Sequence, residues 1–495
     1  MSQVLLVFPV PSEEQTKLVP PLAILYVGSY LERAGVSVSY IDLRIHSYDD
    51  LGKELEDVPL IVGVSSMTGI QIEGAIKVLE MSKEKAPEAV RVMGGVHPSL
   101  LPLETLSDPL VDFVVIGEGE NTLLELFEFI AEGKTDFTKI LGLAWKKRGG
   151  QISINANRPF MELADSCPPI TEASRALYAY YPLGKVQVSR GCPYRCAFCY
   201  NLSFNRRKYR IKPLEVIDRE IHTIMKFVPR IKHFTLLSDN VGRDVDRLLE
   251  MGKICSKYGF TFHTAIRPEY INERLISELE GVCGSFLIGV ESVVPRIRRM
   301  IYKDNDVEDT RRAAHLLKNS SIKMYYSFMT AFPDESREET IASMDFADEL
   351  REIDPTSIIT PFFLLTPFPG TELYEYALRR GFKKSANLKD WSQFALGKVS
   401  TPWIDPDNEY FTDLYQMSML IYTDPKEYEN NDFEKDFFGH FQRIAWDRWR
   451  ARTFEFRREY ELFKSYNRKF KQAGLINYEE EMQKAYSKSQ TNNVD

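Results

Sequence analysis

Val4-Leu5-Leu6-Val7-Phe8, at the start of the chain, is an apolar run with no polar interruption. A strand wetted on one face alternates polar with apolar residues. One that is apolar throughout is covered on both faces, as inside a parallel sheet flanked by helices. The residues that follow keep to this pattern. Helical spacing over 21–33 stops at Gly35, a residue suited to a C-cap, and a strand over 36–41 ends at Asp42. A strand at 60–64 leads into Ser65-Ser66-Met67-Thr68-Gly69 and a helix fills about 70–86. A strand at 90–93 then ends in Gly94-Gly95, and one at 113–116 ends in Gly117-Glu118-Gly119-Glu120. Each strand delivers a small-residue loop at its C-terminal end, the edge on which open α/β sheets bind ligands. A hairpin of 141–146 and 151–154 around Gly149-Gly150 follows, so we expect a first domain over 1–150 and a linker over the proline-bearing 151–182.

Strand and helix alternate again from about 186 to 376, with strands near 186–189, 234–237, 261–265, 286–290, 323–328 and 358–364. Helices are expected at 212–227, 244–258, 271–279, 307–318 and 337–350. Six such units suggest a parallel barrel or partial barrel over 183–385 with its chemistry at the strand C-terminal ends. The strand signal fades after Asp390, so 386–495 is read as a mostly helical domain ending in a disordered polar tail, 487–495. A net charge of −8 argues against a general nucleic-acid binder. No window approaches the roughly 18 apolar residues of a membrane span, and the N-terminus is not a signal peptide. The expectation is a cytoplasmic protein.

Three of the six cysteines, Cys192, Cys196 and Cys199, fall at C-x3-C-x2-C directly after the strand at 186–189. Structural zinc wants four N or S ligands, and the nearest histidines, His222 and His233, are distant in sequence. An iron–sulfur cluster fits better, because three thiolates leave one iron open to an exogenous ligand. Cys167, Cys255 and Cys283 are scattered beside apolar or helical stretches, so we expect inert thiols and no auxiliary cluster.

With its aromatic Phe198, the Cys192–Cys199 segment resembles the radical S-adenosylmethionine (SAM) superfamily. The resemblance implies a 4Fe–4S cluster on Cys192, Cys196 and Cys199, SAM chelated at the fourth iron, and its reductive cleavage to a 5′-deoxyadenosyl radical. It implies that backbone around Phe198 meets the adenine. Ser238 and Asp239 stand where many members hold the methionine amino group with Gly-Gly-Glu. Glu291 stands where a Glu takes the ribose hydroxyls, with a salt bridge as the alternative. Ala331–Glu335 and Thr366–Thr371 are similar to the loops after the fifth and sixth strands, or are turn chemistry alone. Reduction implies an external electron donor of the flavodoxin or ferredoxin type.

Residues 1–150 carry no G-x-G-x-x-G after the first strand. Val19-Pro20-Pro21-Leu22, Met93-Gly94-Gly95-Val96-His97-Pro98 and Gly117-Glu118-Gly119-Glu120 resemble instead the Rossmann-like cobalamin-binding domain that precedes many radical SAM barrels. The resemblance covers about 1–380 and implies corrin contacts from Ser65, Ser66, Met67, Gly94, Gly95, His97, Gly117, Glu118 and Gly119. For His97, a loop histidine bonded to backbone is the alternative. The D-x-H-x-x-G segment that supplies an imidazole below cobalt is absent, because Phe8-Pro9-Val10-Pro11 stands in its place. A base-off, His-off cofactor is expected, with the loop from Ser65 to Gln71 beneath the corrin.

The fold class expected is therefore α/β: a Rossmann-like cobalamin domain, a radical SAM partial (β/α)6 barrel and a helical C-terminal domain. The function implied is a cobalamin-dependent radical SAM methyltransferase that methylates an unactivated carbon through the 5′-deoxyadenosyl radical and methylcobalamin. The alternatives are the same cofactors without methyl transfer (oxidation, cyclisation or rearrangement), a lipid or natural-product methylase, and a cobalamin sensor with a degenerate barrel, against which the intact cysteines argue. Residues 441–475 hold ten Lys/Arg against four acids, with aromatics at helical spacing. They form either a helix packed on the barrel or a docking face for a macromolecule. The second reading favours a peptide or protein side chain as substrate, for instance the glutamine of methyl-coenzyme M reductase.

Overall fold

The computed structural model describes residues 3–10, 19–147, 149–394, 401–404, 410–422 and 432–454. The chain separates into two compact units, 1–286 with 367–395, and 287–366 with 396–495.

The first unit opens with five parallel strands: β1 (Val4–Phe8), β2 (Val38–Asp42), β3 (Ile61–Ser65), β4 (Val90–Gly94) and β5 (Phe113–Val115). They are ordered β2-β1-β3-β4-β5. The unbroken apolar runs have the cause inferred from them. Leu5, Val7, Val62, Val64, Met93 and Val114 are at most 2% exposed, and each contributes roughly 1.5–3 kcal/mol by leaving water. The helix Leu22–Arg33 has Ala34 as its C-cap, and Gly35 stands one residue further out at φ +89°, the left-handed position that favours glycine. The next strand starts at Val38, two residues later than the apolar pattern suggests. The hairpin expected after the last helix, β6 (Leu143–Lys146) and β7 (Ile152–Ile154), extends the same sheet antiparallel to β5.

Residues 159–182 hold buried anchors. Tyr178 and Tyr181 are fully buried, and the Tyr181 hydroxyl donates to Asp42 at 2.5 Å. Next come β8 (Gly184–Gln187), a two-residue ladder of β9 (Ser189–Arg190) with β10 (Arg210–Ile211), then β11 (His233–Leu237), β12 (Thr261–Ala265) and the start of β13 (Cys283–Glu291). β8, β11 and β12 pair in parallel. The helices Leu214–Phe227, Val245–Lys257 and Glu273–Leu279 alternate with them.

The second unit takes up β13 at Leu287 and adds β14 (Lys323–Thr330) and β15 (Ile358–Leu364), again parallel, with the helices Val307–Leu317 and Arg337–Ile353. A short helix, Pro295–Met300, was not legible in the sequence. The helix Tyr410–Tyr422 packs on β15, where the Ser418 hydroxyl accepts the free N–H of Phe362. The helix Asp432–Arg450 buries Trp449, whose indole N–H donates to Asp348 at 2.9 Å and whose ring meets Phe362 edge-on. Arg448 is ion-paired with Asp413. In the described part of the basic, aromatic segment Trp449 and Arg448 are spent on packing while Arg443 and Arg450 are exposed, and 455–475, like the tail 487–495, lies outside the described residues. Among the described residues no helix is long and apolar enough to cross a membrane.

Candidate cofactor site

The cysteine loop is fixed at both ends. Gly191 has φ +82° and lies against the Lys208 carbonyl, where a Cβ would overlap it. On one side the Arg190↔Arg210 ladder clamps the loop, and on the other the Asp239 carboxylate accepts the Gly191 N–H at 2.9 Å. The Cys199 N–H closes a turn onto the Cys196 carbonyl at 3.0 Å, and the helix Asn201–Phe204 carries the chain away. The Leu373 N–H, after the Pro-Gly turn that Thr371 caps, donates to the Ala197 carbonyl at 3.1 Å. None of the six cysteines is in a disulfide. Cys192, Cys196 and Cys199 are partly exposed and Cys167, Cys255 and Cys283 are buried. Burial pushes the Cys199 thiol up to about 12. Among the described residues no three Cys, His, Asp or Glu side chains converge on a single-ion site. Three thiols on one loop suit a cluster in which each thiolate takes its own iron.

The glycine loops of the first sheet are stitched to one another. The Ser66 N–H donates to the Gly94 carbonyl at 2.9 Å, the Ser99 hydroxyl donates to the Gly95 carbonyl at 2.6 Å, and the Gly117 N–H donates to the Ser99 hydroxyl at 2.9 Å. Gly95 (φ +96°) has no room for a side chain, because a Cβ would stand 2.7 Å from the Ser66 carbonyl oxygen. Gly117 (φ +78°) has nothing within 4 Å of that position.

Both sets of loops line one cavity of about 500 Å³. Of the residues expected to bind cofactor, Ser65, Met67, Gly94, Gly95, Gly117, Glu118 and Gly119 line it from the first sheet, and Ser238 and Asp239 from the end of β11. Gly191, Tyr200 and Phe204, which flank the cysteines, line it too. Met67 is 52% exposed, and its loop is tied by the Met67 N–H to the Gln71 side chain at 2.7 Å. A wide wall of backbone and small side chains suits a large flat ligand, so the residues present fit a corrin beside a cluster.

Four expected residues stand elsewhere. Phe198 is half-buried in the cysteine loop and is not part of the cavity wall. Ser66 and His97 are buried behind the wall. The His97 Nδ1 pairs with the Thr68 hydroxyl at 2.9 Å, its ring meets Trp391 edge-on, and burial pushes its pKa down to about 4, so it is neutral. Glu291, in the second unit, has φ +65° and pairs with Lys303 at 3.2 Å. Gly289 leaves its carboxylate the space, which a Cβ there would fill. A left-handed glutamate at a strand end is a strained conformation of the kind that clusters at functional sites.

The basic residues Arg190 and Lys185 in the wall had no sequence signal. Arg190, 8% exposed, donates from Nε to Gln187 (2.7 Å), from Nη1 to Glu118 (2.9 Å) and from Nη2 to Glu120 (2.6 Å). Arg210 also pairs with Glu118. Burial alone would raise Glu118, but the Arg190 and Arg210 guanidiniums outweigh it and hold the carboxyl below its ordinary value. Burial first and the Arg44 guanidinium second bring Lys185 down to about 8.

The B12 binding domain family matches residues 15–127 and the radical SAM superfamily matches 186–347. An uncharacterized methyltransferase of Pyrococcus horikoshii is 30% identical over 407 residues, 79% of this chain and 86% of that one. Cytidylyl-2-hydroxyethylphosphonate methyltransferase of Streptomyces wedmorensis is 25% identical over 73% of this chain and 78% of its own. Among solved structures, the cobalamin-dependent SAM radical enzyme OxsB, with aqua-cobalamin and SAM bound, superposes with a TM-score of 0.72 at 17% identity, over 90% of this chain and 71% of that one. Two family domains in tandem on one chain, with the wall of one cavity drawn from both, place this protein among the cobalamin-dependent radical SAM enzymes, whose cofactors are a 4Fe–4S cluster, SAM and cobalamin.

Proposed function

We propose that this protein is a methyltransferase that transfers a methyl group to an unactivated carbon. The observation that carries the reading is the shared cavity, with glycine loops on one wall and the flanks of the cysteine loop on the other. When bound, the cofactors supply a carbon-centred radical and a transferable methyl group. The chain's own residues position and shield them. Cys192, Cys196 and Cys199 would hold the cluster, while Asp239 fixes the loop through the Gly191 N–H. Gly94, Gly95, Gly117 and Gly119 would let backbone approach a macrocycle, and the exposed Met67 would offer it an apolar contact. Phe8 lies under the Arg44 guanidinium, 4.5 Å from the ring centre, so the end of β1 would offer a cofactor an aromatic ring and a cation.

Within 441–454 Arg448, Arg452 and Trp449 are engaged in packing while Arg443 and Arg450 are exposed, so this segment does not fix the substrate's chemistry. The test is reconstituted enzyme with SAM, cobalamin, a low-potential reductant and candidate acceptors. Equal S-adenosylhomocysteine and 5′-deoxyadenosine per methylated product supports methyl transfer. 5′-Deoxyadenosine with a dehydrogenated or cyclised product and no S-adenosylhomocysteine refutes it.

A further inference from the structure

Arg190 stands immediately before the cysteine loop, yet all three of its donor directions point away from that loop, toward the glycine loop of the first sheet and toward β8. The guanidinium is 8% exposed and Glu120 is 5% exposed. Charges this dry are held only by their mutual geometry. Glu118 is gripped further by Arg210, whose backbone pairs with that of Arg190, and Glu118 accepts the Met161 N–H at 3.1 Å. On the other side, the residue after Arg190 gives its N–H to Asp239. A continuous path of charge-assisted hydrogen bonds, joined by the Arg190–Gly191 peptide link, thus runs from Glu118 and Glu120 to Asp239.

We propose that Arg190 is a positioning residue that couples the two cofactor sites, so that occupancy of the glycine-loop wall and occupancy of the cluster-side wall favour each other. The inference rests on the cavity holding cobalamin and SAM. A ligand on Gly117 and Gly119 fixes the backbone that carries Glu118 and Glu120. Their carboxylates fix the planar fork of Arg190, and the fork fixes the start of the cysteine loop. Lysine keeps the charge but has one nitrogen and cannot serve three acceptors in a plane. Coupling of this kind is reciprocal: each ligand must change the other's affinity by the same factor.

The experiment uses the cluster-loaded full chain under anaerobic conditions. The dissociation constant of hydroxocobalamin is measured with and without SAM, and that of SAM with and without hydroxocobalamin, by equilibrium dialysis. Wild type is expected to give two equal ratios of about fivefold or more. In Arg190→Lys both ratios are expected to fall to about one while each ligand alone still binds. Glu120→Gln, which leaves the Glu118 contact in place, is expected to lower the ratio, and it stands in if Arg190→Lys does not take up its cluster. A ratio of one in wild type, or the wild-type ratio in either variant, overturns the proposal. A wild-type chain that binds no hydroxocobalamin overturns the functional reading itself.

Discussion

Lys212 and Glu220 form an ion pair with both side chains at 0% exposure. The ammonium donates to the two carboxylate oxygens at 2.7 and 2.8 Å and to the Tyr26 hydroxyl at 3.1 Å. Tyr26 and Ser166 donate in turn to Glu220 at 2.8 and 2.9 Å. The pair thereby gathers the helix Leu22–Arg33, the segment before β8 and the helix Leu214–Phe227 around one point. Burial already brings Lys212 down to about 8 against the pull of Glu220. Glu220→Gln removes the compensating charge and should cost about 3–5 kcal/mol, the usual consequence of orphaning one buried ion. The desolvation cost offsets most of the Coulomb gain in the intact pair, so Lys212→Met with Glu220→Leu should lie within about 2 kcal/mol of wild type. Urea unfolding of wild type, Glu220→Gln, Lys212→Met and the double variant reads this out, with midpoints compared at constant slope because the chain has two units. A double variant as unstable as the sum of the singles would refute the reasoning.

Three further outcomes are expected. Gly95→Ala should lower cobalamin affinity more than Gly117→Ala. Both meet a positive φ, worth about 1–2 kcal/mol, but only at Gly95 does the new methyl also collide, at 2.7 Å from the Ser66 oxygen. Titration of the apoenzyme checks the order. Glu335, whose carboxylate accepts from Thr330, Phe332 and Thr340, is pushed up to about 7 by burial. An acid with a raised native pKa favours the fold while protonated, so stability should fall as pH rises from about 4.5 to 7, by at most about 3 kcal/mol. Glu335→Gln should flatten that slope in melts across the window. Cys196→Ala should abolish the iron–sulfur absorbance and SAM cleavage, whereas buried Cys283→Ala should leave both intact and cost only packing, which iron content and a melt would separate.

What the sequence disclosed follows from where burial is two-sided. β1, β3 and β5 were readable because their residues are almost all apolar, and β4, which carries Arg91, because Gly94-Gly95 marks its end. β13 runs three residues earlier than expected because Cys283-Gly284-Ser285 lacks strand-like side chains, although Cys283 and Ser285 are buried. The cysteine spacing and the glycines mark loops whose chemistry is local. The acid–base partnerships were hidden, because a sequence does not say which carboxylate a buried arginine will meet. Glu118 was legible as a loop residue of the cavity, and its carboxylate is engaged by Arg190 and Arg210. Glu291 was legible as a strand-end acid, and its partner Lys303 was not.

The central claim is that the two cofactors occupy one cavity. Electron paramagnetic resonance tests it most directly, on enzyme holding both the reduced cluster and cob(II)alamin. Each signal should be broadened or split by the other spin, and should revert to its isolated shape when either centre is omitted. Two unperturbed signals in the doubly loaded enzyme would contradict it.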